Sequence, residues 1–180
     1  MAIVVFSLPS HALYTELGIS YGRKKTTFDT HNYLETESLT GSVSLYLMER
    51  LAVELSYTDA KATREEKAGP TDPRRVSYQT SKVLGADLIL TFADRNALFQ
   101  PYIKGGVARL DRTQEISIEG YQTYVLPVEA ATVPSYGLGL RIKVSERLNL
   151  RLAYDIWKTP IGGGDYSDDT SLRAGITWAL

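Results

Sequence analysis

The stretch YGLGLRIKVSERLNLRLAYDIW (Tyr136–Trp157) restricts the fold more than any other part of the chain. Leu138, Leu140, Ile142 and Val144 occupy one side of a period-two alternation, and Gly137, Gly139, Arg141 and Lys143 occupy the other. After Ser145-Glu146-Arg147 the rule resumes: Leu148, Leu150, Leu152, Tyr154 and Ile156 stand against Asn149, Arg151, Ala153 and Asp155. Successive side chains of a strand point to opposite faces, so this is a β-hairpin with its turn at the Ser-Glu-Arg. One face is wholly apolar; the other mixes glycine with charge. The length of each arm matches the roughly 9–11 residues that a tilted strand needs to cross a bilayer.

The same alternation occurs eight times from Leu13 onward. It is readable at Leu13–Gly22, Leu34–Leu47, Leu51–Asp59 and Val76–Phe92, again from Leu98, in both arms of the hairpin above, and at Ser171–Leu180. No segment has a 3.6-residue period, and no apolar run approaches the roughly 18 residues of a transmembrane helix. The connections sort by length. Met48–Arg50, Ala93–Ala97 and Ser145–Arg147 are short, whereas Lys24–Asn32, Lys61–Arg75, Asp111–Pro134 and Lys158–Thr170 are long and rich in charge, Gly and Pro. Strict alternation of short and long connections is the habit of an all-β, eight-stranded, antiparallel up-and-down transmembrane barrel, with tight turns at one end and long external loops at the other. Twelve tyrosines against four phenylalanines suit a membrane–water boundary, where an amphipathic ring is favoured.

The 180 residues contain no cysteine, which removes disulfides, thiolate metal sites and cysteine nucleophiles together. The net charge of −1 leaves no nucleic-acid footprint. Residues 1–12 (MAIVVFSLPSHA) read as the remnant of a secretory signal, with small residues at Ser10 and Ala12, although a basic n-region is missing. Residues 13–180 are the barrel.

The runs QPYIKGGVA (Gln100–Ala108) and YGLGLRIKVSERLNLRLAY, with the closing strand RAGITWAL (Arg173–Leu180), resemble the small outer-membrane barrels that include the opacity proteins and the OmpA membrane domain. Leu180 stands where that class usually ends on an aromatic. The resemblance covers about Leu13–Leu180 and implies an outer-membrane location in a Gram-negative bacterium. It implies architecture more than activity.

With the leucine face toward lipid, Glu16, Glu54, Asp87, Lys104, Arg141, Arg151, Asp155 and Arg173 turn into the lumen. Four acids meet four bases there, as buried charge demands. Counted from the short turns, Glu16, Glu54, Arg141 and Arg151 form a lower storey. Asp87, Lys104, Asp155 and Arg173 form an upper one, with Asp87–Lys104 and Asp155–Arg173 on neighbouring strands. Eight strands leave a lumen just wide enough for its own side chains, so it should be plugged. A soluble lipocalin-like barrel would put the leucines inside and make the charge balance a coincidence.

No catalytic residue is expected. A lipid A-modifying enzyme, the alternative among barrels of this size, needs a histidine beside a serine or carboxylate. Beyond His11 only His31 is present, in a loop. The cluster Gly162-Gly-Gly-Asp165-Tyr-Ser-Asp168-Asp169 carries carboxylates suited to a hard cation, but such a run is ordinarily a turn. Neither metal nor cofactor is expected. The second long loop, with Lys61, Arg64, Lys67, Arg74 and Arg75, should lie near lipopolysaccharide phosphates. In the third, a turn at Glu119-Gly120 would make a protruding ribbon with an apolar side of Ile116, Ile118, Tyr121 and Tyr124, extended by Val125 and Leu126. The expected protein is a monomer. Its partners are outer-membrane lipids, lipopolysaccharide and a cell-surface or protein partner on the loops, in adhesion, surface recognition or envelope integrity.

Overall fold

Strands that are apolar on one face and polar on the other can satisfy every backbone group inside lipid only by closing on themselves. The computed structural model, which describes residues 14–27, 33–66, 75–118, 123–162 and 165–180, shows that closure. The strands are β1 (Thr15–Thr27), β2 (Tyr33–Met48), β3 (Leu51–Glu66), β4 (Arg75–Thr91), β5 (Phe99–Ile118), β6 (Tyr124–Lys143), β7 (Leu148–Gly162) and β8 (Asp165–Ala179). Each pairs antiparallel with the next, and β8 returns to β1, so the sheet is one closed eight-stranded barrel. The tight turns fall as the alternation requires. In the β6–β7 turn, Ser145 Oγ accepts from the backbone N–H groups of Arg147 (3.4 Å) and Leu148 (3.1 Å).

The outward face is an apolar belt. Leu17, Ile19, Leu39, Val43, Leu55, Leu84, Leu88, Ile103, Leu138, Leu152 and Ile176 are all exposed. Its upper edge is sharp: along the outward positions Tyr21 gives way to Arg23, Leu39 to Glu37, Leu84 to Lys82 and Val107 to Arg109. Tyr21, Tyr57 and Tyr136 sit at that edge, and the Tyr21 hydroxyl donates to Glu37 Oε1 at 3.0 Å. A ring with an apolar body and a wet end belongs at such a boundary.

Above the belt the structure corrects the sequence reading of long loops. Much of Lys24–Asn32, Lys61–Arg75, Asp111–Pro134 and Lys158–Thr170 is strand, so the barrel wall continues beyond the membrane. Period-two hydrophobicity fades there because the outward face meets water instead of lipid, while the backbone ladder carries on. At about 3.3 Å per residue, the part of β5 beyond Arg109 adds roughly 30 Å along the strand.

This upper wall is split. Pairing of β1 with β8 ends at Gly22↔Arg173, and that of β6 with β7 at Ser135↔Trp157. The ladders from β1 to β6 run on, reaching Thr27↔Tyr33, Glu66↔Arg75 and Ile116↔Tyr124. The β7–β8 ladder continues separately to Gly162↔Asp165. Among the described residues, the outer end is therefore a six-stranded wall facing a lone hairpin, with a fork on either side.

Candidate functional site: the charged lumen and its outer vestibule

Inward positions of a narrow barrel admit long side chains only where their neighbours are small. β6 supplies Gly137 and Gly139 on its inward face. A Cβ at Gly137 would stand 2.7 Å from Asp155 Oδ1 and 2.9 Å from Lys104 Cε, and one at Gly139 would meet the ring of Tyr102. The glycines thus clear the space in which the charged groups meet.

All eight charged residues singled out from the sequence are buried in the lumen: Glu16, Glu54, Asp87, Lys104, Arg141, Arg151, Asp155 and Arg173. Lys104 is the hub. Its Nζ lies 2.8 Å from Asp155 Oδ1, 3.1 Å from Asp87 Oδ2 and 3.5 Å from Glu54 Oε1. Glu54 takes a two-pronged interaction from Arg151 across the barrel, its Oε1 accepting from Nη2 at 2.9 Å and its Oε2 from Nη1. Arg173 Nη2 donates to Asp155, while its Nη1 donates to Thr40 Oγ1 (2.5 Å) and Thr58 Oγ1 (3.2 Å). The expected neighbours Asp87–Lys104 and Asp155–Arg173 do meet. The two storeys are not separate, however, because Lys104 reaches down to Glu54. A flexible four-carbon stem spans a height difference that counting along strands treats as a boundary.

Below this cluster lies a second pair. Arg141 Nε is 3.8 Å from Glu16 Oε2. The Arg141 guanidinium is sandwiched between aromatic faces, 4.9 Å from the Tyr102 ring centroid and 5.4 Å from that of Tyr46. Tyr46 in turn stacks on Tyr14 at 4.0 Å, and Arg95 from the β4–β5 turn covers Tyr14 at 3.8 Å. The short-turn end is thus closed by a stack of rings and guanidinium groups, in which the π-faces of Tyr46 and Tyr102 stabilise the buried Arg141. Glu16 also accepts from the Tyr46 hydroxyl (2.9 Å), Asn149 Nδ2 (3.1 Å) and the Thr177 hydroxyl. Tyr46 and Tyr102 fall on the inward side of the alternation, and the sequence alone gives them no part in the site. Two large rings, beside Thr40, Ser42 and Ser44 on β2 and beside Lys104 and Gly106 on β5, were the available signal.

Above the cluster the lumen widens into a cavity of about 210 Å³ between the charged layer and the outer rim, lined by strand residues such as Ser38, Thr58, Gln79, Ser81 and Trp157. Nothing in the sequence reading foresaw it.

The ribbon residues fare unevenly. Ile116 is buried, at 8% exposure, so it does not belong to an exposed apolar side as expected. It lies on the same face of β5 as Tyr102, Lys104 and Leu110, which turns inward. Tyr124 and Val125 are exposed, at 54% and 61%. Tyr121 and the Glu119-Gly120 turn lie outside the described residues, as do the side chains of Ile118 and Leu126. Asp165, Asp168 and Asp169 fall in β8 rather than in a loop, and no cluster of potential metal ligands occurs among the described residues. Both histidines, His11 and His31, lie outside them, so the histidine-centred site of the enzyme alternative cannot be placed on described residues.

A family model described as "Outer membrane protein beta-barrel domain" matches residues 1–179. Among solved structures, the chain is similar to the N-terminal β-barrel domain of Pseudomonas aeruginosa OprF at 14% identity and a TM-score of 0.60, covering 92% of this chain and 97% of that one. It is similar to Neisserial surface protein A at 13% identity and a TM-score of 0.56, covering 92% and 96%. A third is Yersinia pestis Ail, the attachment invasion locus protein, in complex with the heparin analogue sucrose octasulfate. Identity there is 12% with a TM-score of 0.59, covering 93% and 99%. At these identities the likeness is one of fold. No curated protein matches the chain.

Proposed function

The chain belongs to the outer membrane protein beta-barrel domain family, and from that premise we propose that it is a plugged barrel acting through its outer end in surface recognition. The observation that carries this reading is the pairing of a blocked lumen with a wall built far past the lipid belt. A chain whose task was only to span the membrane, or to conduct, would gain nothing from β5 and β6 extending to Ile118 and from Tyr124. Exposed Tyr124, at the tip of that extension, is the kind of rigid, amphipathic contact that protein interfaces favour, and exposed Val125 adds apolar area beside it.

Ail was solved with a heparin analogue, but a polyanion is not the partner favoured here. Arg23, the first of three consecutive basic residues on β1, is already bound by Glu35 and approached by Glu37 at 3.8 Å, and Lys25 has Glu35 as its register partner. Adhesion to a protein surface fits better than capture of a sulfated chain.

The test is to replace Thr113–Pro127 by an Asn-Gly turn, which shortens the ribbon and leaves the belt and lumen intact. Cells displaying the full chain should attach to immobilised host-cell membranes and matrix proteins, and cells displaying the shortened form should not. Both forms should keep the gel shift between unboiled and boiled samples that marks a folded barrel. Equal attachment by the two would overturn the reading.

A further inference from the structure

We propose that the outer vestibule is a binding site for one neutral sugar ring, held in a blind pocket at the fork where β8 leaves β1. The pocket begins where pairing stops: the last β1–β8 pair is Gly22↔Arg173, and Gly22, Ser171 and Leu172 line the cavity just above it. Its floor is solid, because Thr58 both lines the cavity and accepts from Arg173 Nη1, whose other amino group is fixed on Asp155. A molecule entering from outside would therefore be retained rather than passed inward.

The walls differ in chemistry. One is apolar: Val83 and Leu110 belong to a buried cluster against which the indole of Trp157 packs. The remainder is hydroxyl and amide, including Ser38, Ser81 and Gln79, whose Nε2 donates to Ser81 Oγ at 3.3 Å. A pyranose has the matching two-sidedness, with a patch of C–H groups for the indole face and a rim of hydroxyls that donate and accept. A cavity of about 210 Å³ is on the scale of a single ring.

Charge narrows the class. No carboxylate lines the cavity among the described residues, so nothing there would hold a cationic ligand. Arg23 and Arg112 reach it, but Arg23 is held by Glu35 and Arg112 is itself engaged. With the Arg23 charge matched by Glu35, the lining is otherwise mainly hydroxyl, amide and apolar groups, which favours a neutral ring over a uronic acid. This inference rests on the outer end being the working end, but its test uses purified protein and reads ligand binding rather than attachment.

Trp157 and Trp178 are the only tryptophans, and Trp178 is exposed on the lipid face. Trp178→Phe thus leaves Trp157 as the sole indole reporter. The full chain carrying that change is refolded in an amine-oxide detergent, since sugar-headed detergents would compete. It is then titrated with glucose, galactose, mannose and N-acetylglucosamine, with glucuronate, lysine and serine as comparisons. A saturable emission change with at least one neutral sugar, weaker by about tenfold or more with glucuronate and absent with the amino acids, is expected. Ala60→Leu, which fills the cavity away from the charged layer, should abolish it while the barrel still shows its gel shift. Titration with the matching oligosaccharide separates sources: tighter binding indicates the end of a glycan chain, and equal or weaker binding indicates free sugar. No saturable change with any neutral sugar, preference for glucuronate or the amino acids, or an undiminished response in Ala60→Leu would overturn the proposal.

Discussion

Lys104 carries the largest consequence of any single side chain, because three carboxylates converge on it and only two have another cation. Glu54 keeps Arg151 and Asp155 keeps Arg173, whereas Asp87 would be left with the Ser135 hydroxyl at 2.5 Å. Lys104→Met should therefore cost about 3–5 kcal/mol, the usual penalty for stranding a buried charge. Most of that should return in the double variant with Asp87→Asn, measured by urea unfolding in lipid vesicles. A double variant no more stable than Lys104→Met alone would contradict the assignment. Arg173→Ala should be milder than the sequence reading implies: Asp155 is not orphaned by it, since Lys104 lies 2.8 Å away. Gly139→Ala is a different kind of change. It adds one carbon where the Tyr102 ring already stands, so it should loosen the bond of Arg151 Nε to the Tyr102 hydroxyl (2.8 Å) and lower stability.

At the scale of the strand, the two faces of β7 give the sharpest contrast. Leu152 points into lipid and Ala153 into the lumen, one residue apart. Leu152→Arg near the belt centre should cost about 2–4 kcal/mol of membrane folding, and the same change closer to the rim should cost less. Ala153→Arg should act instead by overpacking and by adding an unmatched positive charge beside Arg173, its register partner. If refolding into vesicles tolerates Leu152→Arg and the depth makes no difference, the face assignment fails. The belt was readable because lipid on one side and a packed lumen on the other force the pattern in every strand. The extensions were not: above Arg23, Lys82 and Arg109 the outward face turns polar and the inward face keeps only scattered apolar residues such as Leu110 and Ile116, so strand and loop look alike in sequence. The same principle explains the lumen. The identity of the eight charges follows from alternation, but who touches whom depends on side-chain reach across the barrel, as Arg151 on β7 and Glu54 on β3 illustrate. A cavity like the vestibule is a sum over seven strands, which no local pattern encodes.

For the molecule as a whole, the apolar belt, the closed ladder and the internally matched charges describe one self-sufficient membrane unit. Purified in detergent it should run as a monomer whose unboiled and boiled forms migrate differently in gels. The central claim is that the lumen is shut: three bases and three acids joined through Lys104, with the Arg141–Glu16 pair and the Tyr14–Tyr46 stack beneath. Single-channel recording of the full chain in planar bilayers tests this most directly. A closed lumen predicts rare, small conductance steps in the wild type and a modest rise in Glu54→Ala, where the cross-barrel link to Arg151 is lost. A large and steady wild-type conductance, unchanged by Glu54→Ala, would contradict it.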